Sequence, residues 1–230
     1  MDKLPFSVYD FFAYLSSGAV IVAAGDYVFQ LGLLRQREIP PVLGIELIVI
    51  AYVLGHVVAH FSSWILEQVA VGRLFGRPLA ILLGAKPRLR GFRWIFPNYF
   101  RPLPKATQEQ VVVQARSRGC GSSGEAFFLH AYAALTGGNE KAQRRLDDFR
   151  NQYGFARNMS FAFVISALAI AVGHCMNPAL ELRWSACAGV MAVALFYRYL
   201  KFLRQYSYEL LLRYAELAKS ATFNSSEAGA

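Results

Sequence analysis

One otherwise apolar stretch, PVLGIELIVIAYVLGHVVAHFSSWILE from Pro41 to Glu67, carries His56, His60, Ser63 and Glu67 at steps of four, three and four. On a helix those steps place the four side chains on one side, with Tyr52 extending the stripe. Two imidazoles at i and i+4 can ligate one metal ion, and zinc or iron would need at least one further ligand from another segment. The residues between the histidines are Val57, Val58 and Ala59, so the glutamate that serves as general base in zinc hydrolases is missing. With four histidines in all, the chain also falls short of the histidine-rich set of membrane di-iron hydroxylases. The favoured reading is that His56 and His60 hydrogen-bond across helices or line a wet cavity, with no cofactor; metal at His56 and His60 is the alternative. Ser62 and Ser63 lie near His60, but no strained elbow or oxyanion hole accompanies them, and helical serines bond back to the preceding turn. No catalytic residue is expected.

Three further ionisable groups stand in apolar surroundings: Asp26, Glu46 and His174. Ionisable groups inside a bilayer are costly and mark polar routes or paired sites. Asp26 lies about 22 Å along its helix from the cytoplasmic entry, at 1.5 Å per residue. That depth matches Glu46 and approaches His174, so Asp26 is expected to pair with His174 or share a proton with Glu46. Asp26, Glu46, His56, His60, Ser63, Glu67 and His174 together form a candidate polar path.

These groups need helices to carry them, and the composition supplies apolar blocks: the 230 residues are 55% hydrophobic. About 20 apolar residues cross a hydrocarbon core of about 30 Å. Four stretches qualify: Phe11 to Leu34, Pro41 to Leu66, Asn158 to Met176, and Trp184 to about Leu200. The first is too long and too weakly flanked by basic residues for a cleaved signal, so it is read as a span. In it Ser16, Ser17, Gly18, Ala23, Ala24 and Gly25 would let a neighbouring helix approach closely. The expected fold class is all-α, an integral membrane bundle of four transmembrane helices with a small cytoplasmic helical cap. Its organisation runs as spans one and two over 1–70, a basic and aromatic interfacial segment over 71–105, a helical module over 106–156, and spans three and four over 157–200. A C-terminal helix over 201–222 and a disordered tail over 223–230 follow.

A net charge of +9 would suggest nucleic acid in a soluble protein, but here its placement sets topology. Only Arg35, Arg37 and Arg183 are basic in the two short connections. The positive-inside rule then puts both termini and the central segment in the cytoplasm of a bacterial inner membrane. From Arg73 to Lys105 there are eight basic residues and no acid, interleaved with Phe75, Phe92, Trp94, Phe96, Tyr99 and Phe100. This mixture fits a segment lying on anionic lipid headgroups, with Arg88, Arg90, Arg93 and Arg101 on lipid phosphate. It is preferred to a grip on nucleic acid because the segment is tethered at the bilayer.

Thr107 with Gln110 and Ser122 with Glu125 have capping-box spacing and mark two helix starts in the module. Tyr199, Leu203, Tyr206, Leu210, Tyr214 and Leu217 form a stripe that needs a partner, either the module of the same chain or another subunit. Cys175 and Cys187 are read as buried free thiols rather than a disulfide. Four helices with polar faces on two of them leave little room for an enclosed route, so a homo-oligomer is expected. The functional expectation is a channel or pore-like effector or membrane anchor, regulated through the module and with room for a soluble cytoplasmic partner. A metal-dependent enzyme or metal or proton carrier on the HVVAH pair, and a structural scaffold, are the alternatives.

Overall fold

A computed structural model describes residues 8–86, 91–121, 124–137 and 140–227. Among these the chain is all-helical, without strands: α1 (Val8–Phe29), α2 (Pro41–Ser62), a π-helical continuation (Ser63–Phe75), α3 (Pro78–Leu82), α4 (Phe92–Ile95), α5 (Lys105–Ser117), α6 (Gly124–Thr136), α7 (Glu140–Met176) and α8 (Leu182–Glu227). Four helical stretches are long and apolar enough to cross a membrane: Tyr9–Phe29, Pro41–Leu82, Glu140–Met176 and Leu182–Leu217. The chain divides into two compact units. One comprises the described residues up to Val69 with Asn151–Tyr199, the other Ala70–Arg150 with the chain from Leu200 onward.

In the first unit α1 and α2 meet backbone to backbone. A Cβ placed on Gly18 would sit 1.6 Å from the Ala51 carbonyl oxygen, and one on Gly55 would sit 1.9 Å from the Tyr14 carbonyl oxygen. No side chain fits at either position, so the crossing requires glycine on both helices. Ala51, Gly55, Val58 and Ser62 form the buried seam of α2, again at steps of four, three and four. Helix α7 joins α8 through two serine hydroxyls: buried Ser160 donates to the Ala192 carbonyl at 2.9 Å, and half-buried Ser185 of α8 donates to the Ala167 carbonyl at 2.8 Å. Near the other end of α7, Gly173 lies against Val28 of α1, where an added Cβ would meet a methyl carbon at 3.1 Å.

Helix α1 ends earlier than the apolar run to Leu34 suggests. Gln30 takes a left-handed φ of 54°, and the Leu31 N–H returns to the Asp26 carbonyl at 3.2 Å, a Schellman-type stop. Helix α2 opens with Pro41 at its first position, where the missing N–H costs nothing.

The second unit is built on aromatic packing. Phe75 sits among Phe92, Phe96, Tyr99 and Phe100, at centroid distances from 4.8 to 6.1 Å. Phe75, Phe96, Tyr99, Phe100 and Leu103 are buried. The Tyr99 hydroxyl donates to the Gly76 carbonyl at 2.9 Å, and burial pushes its phenol above the usual range. Gly76, with φ of 90°, makes the turn that ends the π-helical segment. Most of these rings therefore pack on one another, and rings packed in this way leave water together. Trp94 is the exception, 89% exposed beside Arg93.

The stripe on the last helix also finds its partner within the chain. Tyr214 and Phe127 are both fully buried with centroids 5.6 Å apart, and Tyr206 meets Phe128. Glu209, nearly buried, accepts from the Nε of Arg145 at 2.9 Å and of Arg213 at 3.1 Å, tying α7 to α8. Helix α5 starts at Lys105, behind Pro104 and two residues before the expected Thr107 cap. Ser122 lies outside the described residues. Helix α8 runs to Glu227, so residues 223–227 are helical rather than a loose tail. Cys175 and Cys187 are free thiols, but exposed rather than buried.

Gly18→Ala should lower stability in detergent by about 2 kcal/mol or more, because the two backbones must separate. Gly25→Ala, where an added Cβ meets nothing within 4 Å, should be neutral or stabilising by up to about 1 kcal/mol through helix propensity. Unfolding midpoints of the two variants, measured side by side, check the contrast.

Candidate functional site

The candidate site lies where α2 passes into its π-helical continuation and faces the part of α7 that begins the first unit. Ser62 ends the glycine seam and is fully buried; its hydroxyl donates to Asn158 Oδ1 at 2.8 Å and approaches the Ala59 carbonyl at 3.0 Å. Asn158 Oδ1 also accepts from Arg157 Nε at 3.2 Å and Nη2 at 3.1 Å. Arg157 Nη1 pairs with Glu67 Oε1, and the other Glu67 oxygen accepts from the Ser63 hydroxyl at 3.3 Å. The result is one connected chain of donors and acceptors, Ser62 to Asn158 to Arg157 to Glu67 to Ser63. The Arg157 side chain is only 14% exposed, so its charge depends on Glu67 and Asn158 for compensation.

Sequence reasoning placed Glu67 and Ser63 here and missed Ser62, Arg157 and Asn158. The missed signal was an Arg–Asn pair, RN, at the head of an apolar run, where a charged residue needs a partner at the same level of a neighbouring helix. The chemistry follows from the partners. Ser63 gives its proton to Glu67 rather than to His60, and Glu67 is held by an arginine, so neither a nucleophile nor an uncommitted base is assembled. The arrangement is a polar clamp that fixes α2 against α7.

The two histidines stand elsewhere. His56 and His60 lie on the exposed side of α2, turned away from the buried seam, and Glu46 is exposed on the same helix. The His56 ring packs on Tyr14 with centroids 4.1 Å apart and meets Tyr52 edge-on at 4.7 Å. Tyr52 in turn contacts Phe11 at 5.2 Å. His60 has Phe61 as its ring neighbour at 5.7 Å. Among the described residues no three His, Cys, Asp or Glu side chains come together, so His56 and His60 are at most two ligands of a metal centre in one chain.

Asp26 has partners other than those expected. Its two oxygens accept from the backbone N–H of Leu33 at 2.7 Å and of Leu34 at 3.3 Å, pinning the short 3₁₀ turn Leu33–Arg35 back onto the end of α1. His174 faces the Leu180 carbonyl at 2.6 Å through Nδ1; since a carbonyl only accepts, that nitrogen carries the proton. Each residue thus closes its own helix end. A carboxylate beside unpaired loop amides finds two donors locally, so no cross-helix pairing with His174 or Glu46 is needed. Of the basic residues assigned to lipid phosphate, Arg93 and Arg101 are exposed, while Arg88 and Arg90 lie outside the described residues. Comparison with protein-family models, curated proteins and solved structures found no match.

Arg157→Ala and Glu67→Gln should each lower stability by about 1–3 kcal/mol, since each leaves a half-buried polar group without its partner. The double variant should cost less than the sum of the two by at least about 0.5 kcal/mol. Unfolding of the single and double variants in detergent checks this coupling.

Proposed function

We propose that the protein works as a homo-oligomeric integral membrane protein of a bacterial inner membrane, a channel or pore-like effector or membrane anchor whose helical module faces the cytoplasm together with both termini. The observation that supports this reading is the exposure of Glu46, His56 and His60 on one chain. All three sit on α2, within the candidate span of highest mean hydropathy, and all three stay exposed, although one face of the His56 ring packs on Tyr14 of α1. A charged side chain in contact with lipid at the centre of a span costs about 2.5–3.5 kcal/mol on the insertion scale, and groups nearer the ends cost less. A second copy laid against this face, or a water-filled route between copies, removes that cost. Ile45, beside Glu46, with Val49 and Val53, exposed between Glu46 and His56, supply the apolar surface that such a contact would bury. The seam that holds the chain itself together lies on the opposite side of α2, so self-packing and assembly do not compete.

The module fits a regulatory role because it is tied to the span-bearing helices by covalent continuity: α7 and α8 each contribute residues to both units. A signal that moved α6 would be felt first at Phe127 and Tyr214.

Native mass spectrometry of the detergent-purified protein should give a closed oligomer without bound metal. Ion flux through reconstituted vesicles should fall severalfold in a Glu46→Gln, His56→Ala double variant. A monomer whose flux equals that of protein-free vesicles overturns the reading. One metal per chain, lost in His60→Ala, replaces it with the metal-dependent alternative.

A further inference from the structure

The connections that follow α1 and α7 come together at one end of the first unit. The N–H of Glu181 donates to the Tyr27 hydroxyl at 2.8 Å, which brings the two loops into register. Between them lies an open cleft of about 490 Å³, bounded by Asp26, Gln30, Arg35, Glu181, Arg183 and Trp184, among others. That volume falls in the range of small-molecule sites.

The charges in the cleft do not cancel in their hydrogen-bonding capacity. Both Asp26 oxygens are already taken by the amides of Leu33 and Leu34. Glu181 Oε2 pairs with Arg183 Nε, which leaves both terminal nitrogens of Arg183 without a hydrogen bond among the described residues. Arg35 is exposed and takes part in no ion pair among the described residues. The Arg183 guanidinium lies 5.5 Å from the centre of the Trp184 ring, and that contact holds it at the cleft. What the carboxylates leave over is two planar forks of N–H donors, the geometry that recognises a tetrahedral or planar oxyanion.

The surroundings narrow the ligand. Phe29, Leu31, Leu34 and Leu182 are exposed at these same two connections, and Trp184 is 49% exposed. Apolar side chains beside an amphipathic ring and two arginines, at the ends of helices long enough to cross a membrane, match the level at which acyl chains give way to phosphates. We propose that this cleft binds a phosphate group, with Arg35 and Arg183 as its donors and Trp184 at its edge. The site is separate from the α2 stripe and does not depend on the oligomeric reading. The phosphate has two sources, a phospholipid headgroup, whose phosphodiester offers two non-bridging oxygens, or a soluble phosphate monoester, which offers three, and either set can accept from an arginine fork.

The chain has three tryptophans, so Trp64→Phe with Trp94→Phe leaves Trp184 as the single indole reporter. In a maltoside detergent, which carries no phosphate, the emission of Trp184 should shift saturably on titration with short-chain phosphatidylglycerol or with glycerol 1-phosphate. A response to the lipid alone assigns a headgroup, and an equal response to the monoester assigns a soluble ligand. In Arg35→Ala the half-saturating concentration should rise about tenfold or more, with a smaller rise in Arg35→Lys, which keeps the charge and loses the fork. Far-ultraviolet circular dichroism of each variant, matched to the parent, establishes that the fold is intact. No saturable shift with either probe, or the same half-saturation in folded Arg35→Ala, overturns the proposal.

Discussion

The contact on which the first unit depends is the pair of glycines at the crossing of α1 and α2. With Ala51 and Tyr14 carbonyl oxygens occupying the places where side chains would stand, Gly18 and Gly55 bring two backbones closer than any other residue allows. In an apolar surrounding no hydrophobic effect drives helices together, so close packing and weak Cα–H···O contacts carry the association. The consequences propagate along both helices. Tyr14 is the residue whose carbonyl meets Gly55, and its ring is thereby delivered to His56. Ser62 lies two helical turns beyond Gly55 on the same seam, which delivers its hydroxyl to Asn158 of α7. The histidines, one position round from Gly55 and two from Val58, are left facing out.

That phase explains what the sequence disclosed and what it concealed. The four long apolar helices and the all-helical class were legible from composition and periodicity, because a span must satisfy its backbone internally and so announces itself as a long apolar run. The inward face of α2 was not. In a soluble helix apolar residues point inward, but on α2 almost every residue is apolar, and hydrophobicity ceases to distinguish the faces. The polar stripe attracted the reading, although the informative signal was the small-residue row Ala51 and Gly55, matched to Gly18 on α1. Small residues had been recognised on α1 alone.

The polar cluster illustrates the same limit. Glu67 and Ser63 were visible because they share a stripe with the histidines, whereas Arg157 and Asn158 come from a helix about 90 residues further on, and nothing local states which level of α7 meets α2. Asp26 failed for a different reason. The helix stops at Phe29, and a carboxylate in the last turn reaches the amides of its own loop before it reaches another helix. For the aromatic residues of the second unit, composition records how many rings a segment has, not whether they face a surface or one another. The long stripe on α8 was better posed: it demanded a partner, and Phe127 and Phe128 of α6 supply one.

The central claim is a division of labour on α2, with one face packed on the chain's own α1 and the opposite face turned toward another copy. Cross-linking of single cysteines in membranes tests it directly, in a chain whose three native cysteines, Cys120, Cys175 and Cys187, are replaced by serine. Val53 is 56% exposed on the face shared with Glu46 and His56, and Val58 is 4% exposed on the seam. The account predicts that Val53→Cys forms a covalent dimer on mild oxidation while Val58→Cys stays monomeric. Dimer from Val58→Cys with none from Val53→Cys would contradict it.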